Sequence, residues 1–395
     1  MTSFRPAACA VVHIGVEKTG TTSVQAFLAA NRARLAAAGV LYPECLGRET
    51  HIGLPAYAQA DERRDDARRY FGIEPGADAV EDLRARLETE LAHEVEAVSP
   101  RTILLSSEHL HSRLHTVEEK RRLRAFLEPF AERIEILCYL RRQDELALSL
   151  YSTALRFQKA DAASPLPKPG PKTPYYYDYD RMLGEYAEAF GEDAVTVRIY
   201  ERAALEGDDI ISDFRAAAGL GDDLDLKPVP RRNVSLSAPA QRFLASLNRL
   251  TEPGEDQKRV RGNAVQLLET FFAGRGRTVT RAEAEAFLMR FAEINERVRS
   301  RWTPDRETLF TTDMGAYPET ISAEGEAEAL ADVGARLFAQ KQKELRRTSV
   351  KLKLREAEIA ELRGRKDVAQ RRLAEARALA DDIPELLEEI DAFGA

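Results

Sequence analysis

An apolar run, a turn bounded by glycines and a helical pattern follow one another between residues 8 and 39, and this succession constrains the chain more than any other feature. Residues 8–15 suit a buried strand, and 22–38, closed by Gly39, read as a helix. Between them stands Gly15-Val-Glu-Lys-Thr-Gly-Thr-Thr22, where exposed backbone N–H groups and the helix dipole together attract an anion. A turn that binds nothing would need neither Lys18 nor the threonines. Against the phosphate-loop pattern G-x-x-x-x-G-K-[ST], both glycines and the last hydroxyl are present, but Thr21 replaces the lysine and Lys18 lies inside the loop.

Three more apolar runs, 102–105, 134–140 and 195–200, each follow a helical pattern. Strands alternating with helices predict an α/β fold: an open parallel sheet with helices on both faces and ligands gathered beyond the carboxyl ends of the strands. The proline-rich stretch 164–174 reads as an extended loop. Beyond residue 320 the character changes. Leu345, Leu352 and Ile359 step by sevens, as do Leu362, Ala369, Ala376 and Ile383, amid dense charge. The chain therefore divides into a catalytic-type domain, 1–320, and a long charged helical tail, 321–395. Gly364 and Lys366 interrupt the seam, which leaves open whether the tail folds back or forms the coiled coil of a homodimer.

Composition narrows the function. A net charge of −8 argues against nucleic acid as a partner, which calls for a broad basic face. Cys9, Cys45 and Cys138 form no C-x-x-C pair and suit a reduced compartment. There is no secretory leader pattern and no apolar run of membrane-spanning length, so the expected location is cytoplasmic, with no membrane span. No grouping of His, Cys, Asp and Glu has zinc or iron spacing, and no metal is expected.

A second site follows the run 134–140. Arg141 at a strand end and Ser149 on the following helix can grip one phosphate between a planar guanidinium and a hydroxyl, with Arg142 as a neighbour.

The string His13-Ile-Gly-Val-Glu-Lys-Thr-Gly-Thr-Thr-Ser23 resembles the donor-binding loop of the sulfotransferase superfamily, especially its bacterial branch, and the Arg141–Ser149 spacing is similar to that family's 3′-phosphate motif. The resemblance covers roughly 8–320 and implies a P-loop NTPase-like fold. It also implies 3′-phosphoadenosine 5′-phosphosulfate (PAPS) as co-substrate, with Lys18, Thr19, Gly20, Thr21 and Thr22 on the 5′-phosphosulfate. Arg141 and Ser149 would then hold the 3′-phosphate. Lys18 would neutralise charge on the leaving phosphate without a metal. Ser106-Ser-Glu108-His109, at another strand end, supplies candidate proton acceptors, Glu108 first and His109 second. His51 is a further candidate, as base or as an orienter of the acceptor. Tyr175-Tyr-Tyr177-Asp-Tyr179 resembles an acceptor-side aromatic stretch, and Arg231-Arg-Asn233-Val-Ser235 is a candidate loop over the donor. The acceptor implied is a carbohydrate or glycolipid hydroxyl. Two rival functions stay open: a kinase or NTPase of P-loop type, and a degenerate scaffold acting through its tail.

Overall fold

Five apolar segments pair side by side in the same direction. They are β1 (Cys9–His13), β2 (Val40–Leu41), β3 (Thr102–Ser106), β4 (Ile134–Leu140) and β5 (Val195–Ile199). They form one parallel sheet in the order β2-β3-β1-β4-β5, with Val12 opposite both Leu105 and Ile136. This is a computed structural model, and it describes residues 4–63, 66–73, 77–157, 165–168, 174–221, 224–229, 235–250, 255–274, 276, 279–380 and 384–394.

The alternation of a strand sorts the core into two layers. Ala10 and Val12 of β1, with Ile136 and Cys138 of β4, pack against Leu87, Leu123 and Tyr186 from helices on one face. Cys9 and Val11, with Leu137 and Tyr139, pack against Val24, Phe27 and Phe214 on the other. Helices thus cover both faces, which is why the strands read as continuous apolar runs. The expected α/β architecture is present, with two differences. The helix expected over 22–38 is two, Thr21–Ala30 and Arg32–Ala37, broken at Asn31, whose amide donates to the Phe27 and Lys227 carbonyls. The edge strand β2 has only two residues, too short to show a period.

The chain divides into two compact units: 1–234 with 277–320, and 235–276 with 321–395. Residues 235–276, expected within 1–320, thus group with the tail. In that second unit the helix Ala323–Leu362 ends at Gly364, whose φ of +73° is open to glycine. Arg365 N–H donates to the Ala360 carbonyl there, and the chain turns into the helix Lys366–Leu379. The single long tail helix expected from the charge pattern is therefore a hairpin of helices. Val350 and Leu354 are buried in it against Ala376, Ala380, Leu386 and Ile390.

Candidate anion-binding and transfer site

The chain leaves β1 at its carboxyl end and makes a turn that few sequences tolerate. Gly15 has φ +34°, and a Cβ there would lie 2.6 Å from Thr21 Cγ2. Gly20 has φ +83° and packs under Tyr200 and Ile210. Lys18, with φ +68°, is a non-glycine residue in the left-handed region, a conformation that persists only where the surroundings hold it. They do so here: the Thr19 hydroxyl donates to the Val16 carbonyl at 2.6 Å, Val16 N–H donates to Tyr139, and Arg141 Nη1 donates to the Lys18 carbonyl at 2.7 Å.

The helix Thr21–Ala30 then begins with no side-chain cap and no acidic residue in its first turn. Among the described residues, no acceptor takes the N–H groups of Lys18 through Thr22. These open donors, next to a positive helix end, have the geometry of a candidate anion cradle. Of the five loop residues expected to touch it, Thr19 can offer only its N–H, because its hydroxyl is turned inward.

Cations surround the cradle. Burial pulls the Lys18 ammonium below its ordinary range, and the nearby Arg156 and Arg141 push it further the same way, while Glu17 and Glu108 oppose them. A desolvated lysine among arginines is stabilised by any anion placed between them. Arg141 lies at the tip of β4, where its guanidinium faces the Tyr200 ring and Glu145, and its carbonyl accepts from the Tyr179 hydroxyl at 2.7 Å. Ser149 follows on the same face of the helix Gln143–Arg156, two turns along, and its hydroxyl has no partner among the described residues. Arg156 continues that face through Ser152. It is missing from the sequence expectation, although the spacing 141, 145, 149, 152, 156 marks one helical stripe.

Arg142 points the other way. It is buried on Asp144 at 2.8 and 3.1 Å and donates to the Thr311 and Asp313 carbonyls, so it clamps the core and is no neighbour of a ligand.

The tip of β3 brings Glu108 to the helix that follows the loop. Its Oε2 accepts from Gln25 Nε2 at 2.6 Å, and its charge acts on Lys18. Oε1 has no donor among the described residues. Gln25, buried on the loop's own helix, also reaches Ser106 Oγ at 3.4 Å. Nothing in local sequence signals that contact, since the partners are 83 residues apart.

Two of the expected proton acceptors are engaged elsewhere. His109 Nδ1 accepts from Arg113 Nη1 at 2.7 Å, and Arg113 pairs with Asp66, so the proton sits on Nε2 and the ring lacks an open acceptor. His51 is fully buried: Nε2 donates to the Pro43 carbonyl at 2.9 Å and Nδ1 accepts from Ser106 N–H at 3.2 Å. Burial lowers it to about 3, and neither nitrogen is open to an acceptor. Its role as base is thereby corrected to that of a suture between residue 43 and β3. The tyrosines 175–177 also pack inward, Tyr177 against Phe287 and Phe291, Tyr175 on Lys120, and Tyr176 edge-on to His111 at 4.7 Å. The candidate loop residues 231–234 lie outside the described residues.

Among the described residues, no three His, Cys, Asp or Glu side chains come together as a metal site, and no helix is long and apolar enough to cross a membrane. No family model matches the chain. An uncharacterised protein of Archaeoglobus fulgidus is 30% identical over 173 residues, which make up 42% of this chain and 44% of that protein, less than half of either. A crystal structure of a sulfotransferase from Alicyclobacillus acidocaldarius aligns over 75% of this chain and 95% of its own, at 17% identity and a TM-score of 0.40.

Proposed function

We propose that this chain is a sulfotransferase that moves a sulfuryl group from PAPS to an acceptor hydroxyl, with a carbohydrate or glycolipid as the acceptor class proposed. The observation that supports the reading most is the 2.7 Å contact between Arg141 and the Lys18 carbonyl, which brings the two candidate anion-binding elements side by side. A donor phosphorylated at both ends of its adenosine calls for two such elements side by side.

The donor supplies a sulfuryl group already activated by its phosphate leaving group. The N–H groups of residues 18–22 would hold the 5′ end, and Lys18 Nζ would meet the charge that grows on the departing oxygen. Arg141 and Ser149 would hold the 3′-phosphate, and Arg156 adds to the field at Lys18. Glu108 Oε1 is the proton acceptor that the geometry favours, held in place by Gln25. Lys18, Arg141 and Arg156 would supply the positive charge that faces the donor.

Calorimetry with adenosine 3′,5′-bisphosphate tests this directly. The wild type should bind it in preference to ATP with magnesium. Arg141→Ala should lose about 10- to 150-fold in affinity, the worth of a hydrogen bond to a charged group of about 1.5–3 kcal/mol. Equal affinity in both proteins removes the second anion element, and with it the reading.

A further inference from the structure

The helix Ala323–Leu362 has two faces, and among the described residues only one of them is packed within its unit. Val350 and Leu354 are buried against the returning helices. Phe338, Leu345, Leu352 and Ile359 are 67, 53, 57 and 47% exposed and recur every seven residues, so they line one face over about 30 Å. Lys341, Thr348 and Arg355 fall between them on that face, three residues after each. Over the length of the stripe, Phe338 to Ile359, the helix carries seven basic residues against three acids, Glu344, Glu356 and Glu358, in a chain whose net charge is −8. Lys353 is taken up by Glu375 inside the unit, but Lys351 and Arg355 have no acidic partner among the described residues.

Large apolar side chains left in water at this regularity mark a docking face. Charge decides what docks. A second copy of the helix would bring Lys341 and Arg355 against Lys341 and Arg355 whether the pair ran parallel or antiparallel, because the two lie symmetrically about Thr348 at the middle of the stripe. A nucleic acid would answer the charge and leave the leucines in water. A phase with anionic headgroups over an apolar layer answers both, with the basic stems reaching back to the headgroups.

We propose that this face of the helix Ala323–Leu362 docks in plane on an anionic lipid surface. It does not depend on the sulfotransferase reading, since every residue involved lies in the second unit.

The test is co-sedimentation of the full chain with vesicles of phosphatidylcholine alone or mixed with phosphatidylserine. Binding should appear with the mixed vesicles and weaken as salt rises. Lys351→Glu and Arg355→Glu should each weaken it about fivefold or more, near the 1 kcal/mol of one basic residue at such a surface. Leu352→Glu should abolish it with no change in circular dichroism, because the side chain is exposed. No partition into the mixed vesicles overturns the proposal, as does unchanged partition in Leu352→Glu. So does a dimer in sedimentation velocity that Leu352→Glu dissociates. Binding of an RNA oligonucleotide that Arg355→Glu abolishes and Leu352→Glu leaves intact would assign the face to nucleic acid instead.

Discussion

At the tip of β1 the loop N–H groups stand open and at the tip of β4 Arg141 is only partly engaged, whereas at the tip of β3 and just past Arg141 most polar groups are bonded to one another. The loop after β1 offers N–H groups without acceptors and a lysine beside two arginines. One residue past Arg141, Arg142 meets two carboxylate oxygens and two carbonyls, and Tyr317 donates to the same Asp144. His51 and Ser106 likewise exchange bonds across β3. Charge alone therefore does not mark a binding residue. What separates Arg141 from Arg142 is whether the protein already supplies the counter-charge in full.

If that distinction holds, substitutions on the two sides should fail in different ways. The largest effect should come from the closed side. Arg142→Ala leaves the Asp144 carboxylate buried without its guanidinium, and breaking such a pair from one side costs about 3–5 kcal/mol. Urea denaturation should show that loss, while the folded fraction keeps its affinity for adenosine 3′,5′-bisphosphate. A loss below about 1 kcal/mol would place Arg142 with surface ion pairs and erase the contrast.

Lys18→Ala should do the reverse. Its ammonium is already penalised by burial and by the flanking arginines, so removing it should leave the melting temperature nearly unchanged or slightly raised. Turnover, followed as adenosine 3′,5′-bisphosphate released from PAPS, should fall by about two to three orders of magnitude, as when one oxyanion donor is deleted. A Lys18→Ala protein that turns over normally would show that the open loop holds its ligand without serving the chemistry.

The open side was also the more legible in sequence. A loop with two glycines, a lysine and threonines between an apolar run and a helix can be read because its chemistry is local, and Arg141 is placed by the strand before it. Strands β1, β3, β4 and β5 were legible for the same reason, as apolar runs bounded by turns. The closed side depends on contacts that sequence does not display. Nothing near His51 indicates that both its nitrogens are bonded, and Arg142 differs from Arg141 only in which side of the backbone it leaves. Gln25 reaches Glu108 across the sheet from a helix whose apolar pattern gives it no distinction. In the tail, the sevenfold step of Leu345, Leu352 and Ile359 was legible as a stripe, but the core formed on the other face, at Val350 and Leu354.

The smallest effect sharpens the comparison at the tip of β3. His51 is held neutral by burial, at about 3 in the folded chain against 6.5 for an unperturbed imidazole. Between about pH 6.5 and 3 the unfolded chain therefore binds a proton at this position that the folded chain does not, and stability must fall as the pH is lowered through that window. One such group contributes a slope of about 1.4 kcal/mol per pH unit. His13, also lowered to about 3 by burial, adds a similar slope, as do carboxylates whose pKa is depressed on folding, so the measurement is a difference between two proteins. Urea-derived stabilities of wild type and His51→Gln from pH 7 to 4 should differ in slope by about one proton, with the variant less stable at pH 7 and the two curves converging as the pH falls. Parallel curves would mean that His51 takes up its proton in the folded state. The suture at β3 would then be open enough for the imidazole to act on a substrate.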